Sequence, residues 1–455
     1  MEWNKRVVVA GAGKSGIGAA KLLLDQGAEV IVFDENDKTD KLEVLHKIGD
    51  YEKAGVVIGK LEEALLDTVD LMIISPGISI EAPFTAAFRE RNIPIWSEIE
   101  LAYQIGKGTI AAITGTNGKT TTTALVGEIF RAYQEDAFVV GNIGIPYTQI
   151  ATETTENSLI AAEISSFQLE TIQEFQPKVS AVLNVTPDHL DRHHTFECYR
   201  DTKQKIAMNQ TKEQFCVLNY DDEHTRRMGS LIPATPIFFS RLESLEEGIC
   251  LKDDQIVIRQ KQPAVVEIPV LALKDRVLLG NHNIENYMAA IAITYYMGIS
   301  VEIISRVCKE FKGVEHRIEF VKEVRGVRYY NDSKGTNPDA AIKGIQAMDR
   351  STLLIGGGYD KHVGFDEWIE SFEGKVRYLI LIGQTAELIA QTARSHGFED
   401  ILFAEDLKEA VTKCYELAEE GNAVLLSPAC ASWGQFDNYE QRGNLFKTYV
   451  EELPE

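Results

Sequence analysis

Residues 111–123 read Ala-Ala-Ile-Thr-Gly-Thr-Asn-Gly-Lys-Thr-Thr-Thr-Thr, which predicts an apolar strand, a glycine-bounded turn and the start of a helix. Such a corner binds phosphate, because free backbone N–H groups and the helix dipole both favour an anion. Lys119 is placed to reach phosphate oxygens, and the Thr120 hydroxyl is placed to bind Mg²⁺. Ile113 stands where the usual G-x-x-x-x-G-K-[ST] loop has its first glycine, so a plain corner with a surface lysine is the alternative.

Composition narrows the class of protein. The chain has 455 residues, of which 44% are hydrophobic and 25% charged, and its length predicts about three globular domains. The formal net charge of −23 makes nucleic-acid or anionic-membrane binding a poor fit. The longest uncharged runs are too short and too polar to span a bilayer. We expect no nucleic-acid partner, no membrane insertion, and a monomer.

The cysteines predict a reduced protein. No two of them form a C-x-x-C pair, and their spacing is not typical of a disulfide or zinc framework. They are Cys198, Cys216, Cys250, Cys308, Cys414 and Cys430. A reduced, cytoplasmic protein is the simplest interpretation. Cys430 follows a predicted strand, but no histidine is paired with it in its motif, so we expect a small buried residue there and not a nucleophile.

The first segment begins with a predicted β-α-β unit. It consists of a strand at 6–10, a G-x-G-x-x-G turn at 11–16, a helix to Gln26, and a strand at 29–33 that ends in Asp34. This pattern indicates a Rossmann-like site for a nicotinamide or flavin dinucleotide, or for another pyrophosphate such as that of a UDP-sugar. A further strand at 71–74 ends in Ser-Pro-Gly-Ile-Ser, which either faces the same crevice or forms a plain turn.

In the second segment, strands and helices keep alternating, which predicts a mostly parallel sheet. The strands at 137–140, 159–162 and 179–184 are followed by polar residues that include Asn142, Glu163 and His189. Because parallel strands end at the same edge of a sheet, these side chains are expected to meet there. Glu163 and His189 are candidate Mg²⁺ ligands beside Thr120. A hydrogen-bonding loop histidine is the alternative for His189, since Mg²⁺ prefers oxygen ligands.

The rest of this segment offers weaker signals. We expect the doublet His193-His194 to be solvated, and a solvated helix face is the alternative for Lys203 and its neighbours. A β-rich stretch at 232–279 contains a predicted hairpin turn at Asp253-Asp254. Asn283 and Asn286 lie three apart in the helix that follows, where they hold a base or ribose, or cap the helix.

The third segment again places polar residues after strands. The strand at 327–330 leads into a cluster around Asp332, which is either a site or a structural turn. Asn337 and Pro338 predict a helix start, and with Lys334 nearby this start is a natural carboxylate or phosphate site. Strands at 352–355 and 423–426 end in Gly-Gly-Gly-Tyr-Asp-Lys and Ser-Pro-Ala-Cys-Ala-Ser-Trp.

These motifs, in this order and spacing, resemble the Mur ligase family along the whole chain. Its members are ATP-dependent enzymes that add amino acids to the UDP-N-acetylmuramoyl precursor of peptidoglycan. The short phosphate loop is this family's form. The motifs that carry the resemblance are Ser75-Pro-Gly-Ile-Ser79, Gly115-Thr-Asn-Gly-Lys-Thr-Thr121, Glu163-Ile-Ser-Ser-Phe-Gln-Leu-Glu170, Asn184-Val-Thr-Pro-Asp-His-Leu-Asp-Arg192, Gly280-Asn-His-Asn283, His316-Arg317, Tyr330-Asn-Asp-Ser-Lys-Gly-Thr-Asn337 and Ser427-Pro-Ala-Cys-Ala-Ser-Trp433.

The resemblance implies an α/β protein of three domains. They are a Rossmann-like UDP-binding domain at 1–97, a central P-loop ATPase α/β domain at 98–313, and a C-terminal Rossmann-like amino-acid-binding domain at 314–455. The first glycine turn is then expected to hold a UDP pyrophosphate and not NAD. The implied reaction adds D-glutamate to UDP-N-acetylmuramoyl-L-alanine through an acyl phosphate, with ATP and two Mg²⁺ ions.

The resemblance also assigns roles position by position. The implied catalytic residues are Lys119, His189 and Lys203. The implied ATP contacts are Gly115, Thr116, Asn117, Gly118, Lys119, Thr120, Thr121, Asn283, Asn286, Arg317 and Asp332. The implied metal ligands are Thr120, Glu163, His189 and Lys203, with Lys203 carbamylated so that it offers oxygen. The implied substrate contacts are Lys14, Ser15, Asp34, Gly77, Asn142 and Ser165 in the first two domains, and Lys334, Thr336, Lys361, Ser432 and Tyr439 in the third. Trp433 and Tyr439 depart from the leucine and phenylalanine that the family pattern leads us to expect.

Overall fold

The protein is seen in a computed structural model that describes residues 3–49, 51–142, 144–261, 264–360 and 363–455. The chain divides into two units, Met1–Lys274 with Glu285–Cys308, and Asp275–Ile284 with Lys309–Glu455. The described residues form three β-sheets, of which two belong to the first unit and one to the second. The three-domain α/β fold predicted from the sequence is confirmed, whereas its borders near 97 and 313 stay predictions.

The first sheet is a parallel Rossmann-like sheet. Its strands are β1 Arg6–Ala10, β2 Glu29–Asp34, β3 Ala54–Ile58, β4 Leu71–Ile74 and β5 Ile95–Ser97. Its helices are α1 Lys14–Asp25, α2 Lys41–Ile48, α3 Glu63–Leu66, α4 Pro83–Glu90 and α5 Glu98–Ile105. The order is β3-β2-β1-β4-β5 within the described residues. The strand order reverses between β1 and β4, so the loops after these two strands border the crevice where such sheets bind ligands.

The predicted strands of the first sheet are confirmed, but β3 and β5 were not anticipated. Strand β5 has only three residues, and β3 contains Gly55, which lacks the side chain that a strand pattern depends on. The strands β1 and β4 are buried along nearly their whole length, as both faces of a parallel sheet are covered by helices.

The second sheet carries the phosphate corner. Its strands are β6 Thr109–Thr114, β7 Ala137–Gly141, β8 Leu159–Glu163, β9 Val179–Val182, β10 Phe215–Asn219, β11 Thr235–Ser240, β12 Gly248–Lys252, β13 Gln255–Lys261 and β14 Val265–Ala272. Its helices are α6 Lys119–Tyr133, α7 Tyr147–Ile150, α8 Ser166–Leu169, α9 Leu190–His193, α10 Phe196–Gln204, α11 Glu223–Met228, α12 Asn281–Tyr296 and α13 Val301–Glu310. Short 3₁₀ helices lie at Lys205–Ala207 and Leu273–Asp275.

Register explains why the second sheet concentrates polar groups at one edge. The described strands have the order β14-β13-β12-β11-β10-β9-β6-β8-β7, and all pairs from β12 to β7 are parallel. Ile113 pairs with Glu163, and Thr114 pairs with Val182, so the strands beside β6 end level with it. The predicted hairpin at Asp253-Asp254 is confirmed, and both residues have positive φ there.

The first two sheets share one unit because a helix from each packs against the other. Helix α1 lies against α7, and a Cβ at Gly18 would stand 2.8 Å from the Thr148 hydroxyl. One buried apolar cluster includes residues from both sheets, such as Leu23 and Tyr147.

The third sheet completes the fold. Its strands are β15 Glu319–Val324, β16 Val327–Asn331, β17 Thr352–Gly356, β18 Val376–Leu381, β19 Ile401–Phe403 and β20 Ala423–Leu426. Its helices are α14 Pro338–Ala347, α15 Asp366–Glu370, α16 Ala386–Ser395, α17 Leu407–Leu417 and α18 Tyr439–Glu451. In the described residues the order is β15-β16-β20-β17-β18-β19, with β15 antiparallel and the others parallel. The predicted start of α14 is confirmed, since the Ala340 N–H donates to the Asn337 side chain and Pro338 follows.

Two further expectations concern the chain as a whole. Within the residues that the structure describes, no helix has the length and apolar character to cross a membrane. None of the six cysteines, all of which lie in the described part of the chain, forms a disulfide, and Cys430 is buried as expected.

Candidate active site

The phosphate corner after β6 has an open helix start. Gly115 and Gly118 have φ of +151° and +84°, which lets the chain turn sharply into α6. The first N–H groups of a helix have no partner inside it and carry partial positive charge, so the start of α6 favours an anion. The outer part of the turn is held by Asn184, whose carbonyl accepts from Thr116 N at 3.0 Å and whose side chain accepts from Asn117 N at 2.8 Å.

Strand β9 was predicted to reach Asn184 but ends at Val182. The reason is this pairing, because Asn184 leaves the ladder to bind the phosphate turn.

Two lysines converge on one carbonyl oxygen of the corner. Lys119 Nζ donates to Gly115 O and Thr116 O, each at 2.9 Å, and Lys203 Nζ donates to the same Gly115 O at 2.8 Å. Lys203 is 1% exposed, and its ammonium lies 4.5 Å from the Tyr199 ring centroid. Burial, and then the charge of Lys119, hold the pKa of Lys203 well below its usual value. The corner therefore brings two lysine side chains to one carbonyl oxygen, and burial opposes a charge on Lys203.

Glu163 supplies a buried anion at the end of β8. Its Oε1 accepts from Asn142 Nδ2 at 2.8 Å, and its Oε2 is buried with no hydrogen-bond partner among the described residues. A buried oxygen without a donor costs about 1–3 kcal/mol, and a cation removes that cost. Glu163 pairs with Ile113 of β6, the strand that leads to the phosphate corner, and its unpaired oxygen is the kind of ligand that Mg²⁺ prefers. Thr120, 9% exposed at the start of α6, offers a hydroxyl as a further oxygen ligand.

A Mg²⁺ site here does not require a large cluster of protein ligands. Among the described residues there is no group of three or more His, Cys, Asp or Glu side chains that could hold a metal. Magnesium is usually held by one or two carboxylates together with water and substrate phosphates. The unpaired oxygen of Glu163, on the strand next to β6, is consistent with a Mg²⁺ site of this kind.

His189 lies on a loop that reaches the same corner. It has φ of +52°, which is uncommon for a residue with a side chain. Its ring centroid is 4.8 Å from that of Phe167 and 6.3 Å from that of Tyr199. The Tyr199 hydroxyl in turn lies 3.2 Å from the Thr116 hydroxyl. The loop therefore brings His189, Tyr199 and the phosphate turn into one network, with the imidazole about half exposed.

The expectation that His193 is solvated is wrong. His193 is 3% exposed, and its Nε2 lies 3.0 Å from the Ser166 hydroxyl, because the short helix α9 turns it under the loop. Burial is the main cause that lowers the pKa of His193 to about 4, so it stays neutral. His194 is exposed, as expected, and pairs with Glu81 at 2.8 Å.

Asn286 and Ser165, two other predicted contacts, lie in the same unit as the corner. The Asn286 carbonyl oxygen accepts from the Thr122 hydroxyl at 3.3 Å, and a Cβ at Gly118 would stand 2.2 Å from it. Ser165 caps α8 in a capping box with Gln168. Asn286 therefore contacts the phosphate corner, whereas Ser165 is seen only as the cap of α8.

The glycine turn of the first sheet carries the predicted UDP-end residues. The Asp34 carboxylate accepts from Ala12 N at 2.9 Å, so it holds the turn closed. Lys14 is exposed and its Nζ donates to Gly144 O at 3.2 Å. Ser15 is half-buried in the first turn of α1, and Gly77 is exposed on the loop after β4.

The second unit holds the remaining predicted nucleotide contacts. Asp332 is 5% exposed, and its carboxylate accepts from the Ser427 hydroxyl at 2.7 Å. Burial raises the pKa of Asp332 to about 7. Arg317 is exposed, and its charge acts on Asp332. Asn283 Nδ2 donates to Leu279 O at 2.7 Å. Asp332 therefore serves the loop structure directly, which was the alternative that the sequence left open.

The predicted amino-acid contacts gather at the carboxyl edge of the third sheet. The Lys334 ammonium lies 5.7 Å from the Tyr439 ring centroid, and Ser432 is 4% exposed. Thr336 follows Lys334 in a tight turn and is half-buried. Burial is the main cause that raises the pKa of Tyr439 to about 12, so its phenol remains protonated. Lys361 lies outside the described residues.

Comparison with known proteins agrees with this arrangement of three sheets. The family model described as Mur ligase MurD-like, N-terminal domain, matches residues 5–97, the Mur ligase middle domain matches 113–294, and the Mur ligase glutamate ligase domain matches 316–430. The chain belongs to the Mur ligase family.

Relatives of this Mur ligase match it from end to end. It is 52% identical over 450 residues to a UDP-N-acetylmuramoylalanine--D-glutamate ligase from Lachnospira eligens, with 99% of each chain covered. It is 49% identical over 450 residues to the protein of the same name from Lachnoclostridium phytofermentans, covering 99% of this chain and 98% of the relative. The fold is similar to that of the MurF ligase from Thermotoga maritima, with a TM-score of 0.57 at 17% identity over 98% of this chain and 95% of that one.

Some residues that shape the site of this Mur ligase had no role assigned from the sequence. Asn184 and Tyr199 support the phosphate corner, and Arg192 binds the first sheet's loop. Arg442 is fully buried in the second unit, where its guanidinium binds the Ser333 hydroxyl at 2.9 Å and the Cys430 carbonyl at 3.2 Å. Arg192 lies in the motif at 184–192, which was the available signal for it. The sequence does not distinguish a buried arginine from one at the surface.

Proposed function

We propose that this Mur ligase joins D-glutamate to UDP-N-acetylmuramoyl-L-alanine at the expense of ATP, as a step in peptidoglycan precursor synthesis. The observation that carries the proposal is the convergence of Lys119 and Lys203 on Gly115 O, at the end of a strand whose neighbour ends in Glu163 with one unpaired oxygen. This pocket suits a polyanion and a divalent cation. The names of relatives at 49% and 52% identity support the choice of acceptor and amino acid.

The nucleotide phosphates are assigned to the corner, and the family resemblance adds the other nucleotide contacts. Lys119 and the N-terminal amides of α6 bind the phosphates, with Thr120 and Glu163 holding Mg²⁺. His189 and Lys203 hold a second Mg²⁺. Metal ions held by these residues would supply positive charge to offset the charge on the phosphate oxygens. The other assigned contacts are Gly115, Thr116, Asn117, Gly118, Thr121, Asn283, Asn286, Arg317 and Asp332.

The first chemical step activates a carboxyl group. A carboxylate oxygen of the acceptor's alanine attacks the γ-phosphorus of ATP, the bond to the β,γ-bridging oxygen breaks, and ADP leaves. Two anions must approach each other, so Lys119 lowers the barrier by placing positive charge between them. Asn142 and Ser165 face the muramoyl part, and Lys14, Ser15, Asp34 and Gly77 face the nucleotide end.

The second step forms the amide. The amine of D-glutamate attacks the acyl phosphate carbonyl, a tetrahedral intermediate collapses, and phosphate leaves while the amine nitrogen loses a proton. The residues assigned to D-glutamate are Lys334, Thr336, Lys361, Ser432 and Tyr439. Water must be excluded from the acyl phosphate until the amine arrives, since hydrolysis would waste ATP.

Lys203 is proposed to act as a carbamate. The lowered pKa of Lys203 favours loss of the ammonium proton. The Nζ of the amine would then form a bond to the carbon of CO₂ and lose a second proton, and the resulting carbamate oxygens would be ligands that Mg²⁺ prefers. The Lys203→Ala variant is expected to lose about a thousandfold in turnover and to regain part of it with formate or acetate. The measurement is ADP release with and without each acid. Full loss without any rescue would contradict the carbamate.

One assay tests the proposed function. ADP release is measured with ATP, Mg²⁺, UDP-N-acetylmuramoyl-L-alanine and D-glutamate, and then with each component left out. Sustained turnover is expected only when all four components are present. The product should be heavier than the acceptor by the mass of one glutamyl residue. Faster turnover with another amino acid would overturn the assignment of D-glutamate. ATP cleavage that ignores the acceptor would overturn the ligase itself.

The proposed place of action is the cytoplasm. The reaction consumes ATP, and the six cysteines, all among the described residues, form no disulfide, which fits a reducing compartment.

A further inference from the structure

Arg192 reaches from the loop of His189 to the loop after β4 in the first sheet. Its Nη1 donates to Pro76 O at 2.7 Å and its Nη2 donates to Ile78 O at 2.9 Å. These two carbonyls flank Gly77, so one guanidinium forms hydrogen bonds with the turn on both sides of the glycine.

The same guanidinium is anchored at its other edge. Its Nε and Nη2 bind the two oxygens of Glu170 at 3.1 and 2.6 Å, and its carbon lies 4.1 Å from the Phe167 ring centroid. The side chains of Arg192 and Glu170 are 11% and 6% exposed. A bidentate charged pair of this kind is strong and fixes direction, and only arginine has the planar fork to make it.

The turn that Arg192 grips stands beside the first glycine corner. A Cβ at Gly11 would lie 2.7 Å from the Ser75 hydroxyl and 3.1 Å from the Ile78 side chain, so the two loops are in close contact. Gly77 itself is exposed, and a Cβ there would meet nothing within 4 Å. The turn that Arg192 binds therefore leaves Gly77 exposed at the crevice of the first sheet.

The His189 loop has attachments that do not depend on the Arg192 side chain. His193 Nε2 lies 3.0 Å from the Ser166 hydroxyl, and the His193 N–H donates to His189 O at 3.0 Å. The Phe167 ring also stacks on His193. Changing the guanidinium should therefore move the Gly77 turn more than it moves His189.

We propose that Arg192 is a positioning residue that holds the Gly77 turn in the shape that receives the UDP-muramoyl acceptor, so that acceptor affinity depends on a side chain of the ATP-binding domain. This inference rests on the proposed function. Arg192 itself does not need to touch either substrate, because its four donor contacts are already used by Glu170 and the two carbonyls.

Arg192→Lys tests the inference, because lysine keeps the charge against Glu170 but cannot fork to two carbonyls. The dissociation constant of UDP-N-acetylmuramoyl-L-alanine, measured by calorimetry without ATP, should rise about tenfold, the effect of one lost charge-assisted hydrogen bond. The KM for ATP should stay as in the unaltered protein. Arg377→Lys is the matched control, since Arg377 makes a bidentate pair with Glu419 on the third sheet.

Glu170→Gln separates positioning from simple stability. It removes the anion but leaves both carbonyl acceptors, so it should lower the melting temperature with a much smaller change in acceptor affinity. If Arg192→Lys fails to fold, the charge-neutral double variant Arg192→Gln/Glu170→Gln replaces it, and the same tenfold rise is expected. Equal losses of acceptor affinity in Glu170→Gln and the arginine variants, or no loss in either arginine variant, would overturn the inference.

These outcomes are distinct from a failure of the proposed function. If the unaltered protein does not bind the acceptor or release ADP with it, the ligase assignment fails. If it does both and the arginine variants match it, only the role of Arg192 fails.

Discussion

The glycine corner after β1 and the glycine corner after β6 share one backbone layout, yet they carry different charge. Each is a buried strand, a turn with a positive-φ glycine, and a helix start. In the first corner the Asp34 carboxylate holds the turn, and Lys14 extends away to Gly144 O. In the second, Lys119 and Lys203 both bind inward to Gly115 O.

The difference indicates that backbone shape alone does not decide whether a phosphate corner only binds its ligand or also promotes a reaction. Amide groups at a helix start suffice to hold a pyrophosphate that does not react. A triphosphate whose γ-phosphorus is attacked by a carboxylate develops charge that amides cannot balance, and cations are needed there. We therefore expect the first corner to bind and the second to react.

Lys119→Ala should give the largest effect and would break the comparison most directly. Without its charge, acyl phosphate formation should fall by about a thousandfold, while acceptor binding at the first corner stays unchanged. ADP release measures acyl phosphate formation, and calorimetry measures acceptor binding. Near-normal ADP release would show that the second corner is not the reacting one.

Gly16→Ala and Gly13→Ala probe the first corner in opposite ways. A Cβ at Gly16 would stand 1.8 Å from Gly11 O, whereas one at Gly13 would meet no protein atom within 4 Å. Gly16→Ala should therefore destabilise the protein by about 2–4 kcal/mol through forced backbone shifts. Gly13→Ala should leave the melting temperature unchanged but weaken acceptor binding, because the pyrophosphate approaches closely there. A stable Gly16→Ala variant would contradict the observed packing.

Glu98→Gln should give a smaller effect that depends on pH. Glu98 is the first residue of α5, and its Oε1 accepts from Gln168 Nε2 at 2.6 Å. Gln168 also forms the capping box with Ser165. Burial raises the pKa of Glu98 from 4.5 to about 7. The unfolded chain has the lower pKa, so the stability linked to this proton is complete below about pH 4.5 and is lost as pH rises to about 7.

The expected change in the free energy of unfolding of the unaltered protein, relative to Glu98→Gln, is on the order of 3 kcal/mol across that window. Urea denaturation at about pH 4.5 and about pH 7.5 measures it. Glutamine still accepts from Gln168, which makes the variant a matched one. A difference that stays constant with pH would contradict a buried, titrating Glu98.

Much of the site was predictable because its residues follow strands. The order of strand, glycine and lysine places Lys119 at a helix start without knowledge of the fold, and the ends of β8 and β9 lead to Glu163 and His189. The burial of His193 was not predictable, because its neighbour His194 is exposed and the pattern of letters does not tell them apart. The strand β3 was missed because its pattern is weak.

The sequence by itself determined the fold class, the phosphate corners and the family, because strand alternation, glycine spacing and helix caps are local properties of the chain. Only the tertiary structure decided that Lys203 loses its usual pKa, that Glu163 keeps one oxygen without a partner, and that Arg192 holds the Gly77 turn. These features depend on burial and on contacts between residues far apart in the chain. Side-chain electrostatics is set by such surroundings, and a linear pattern does not contain them.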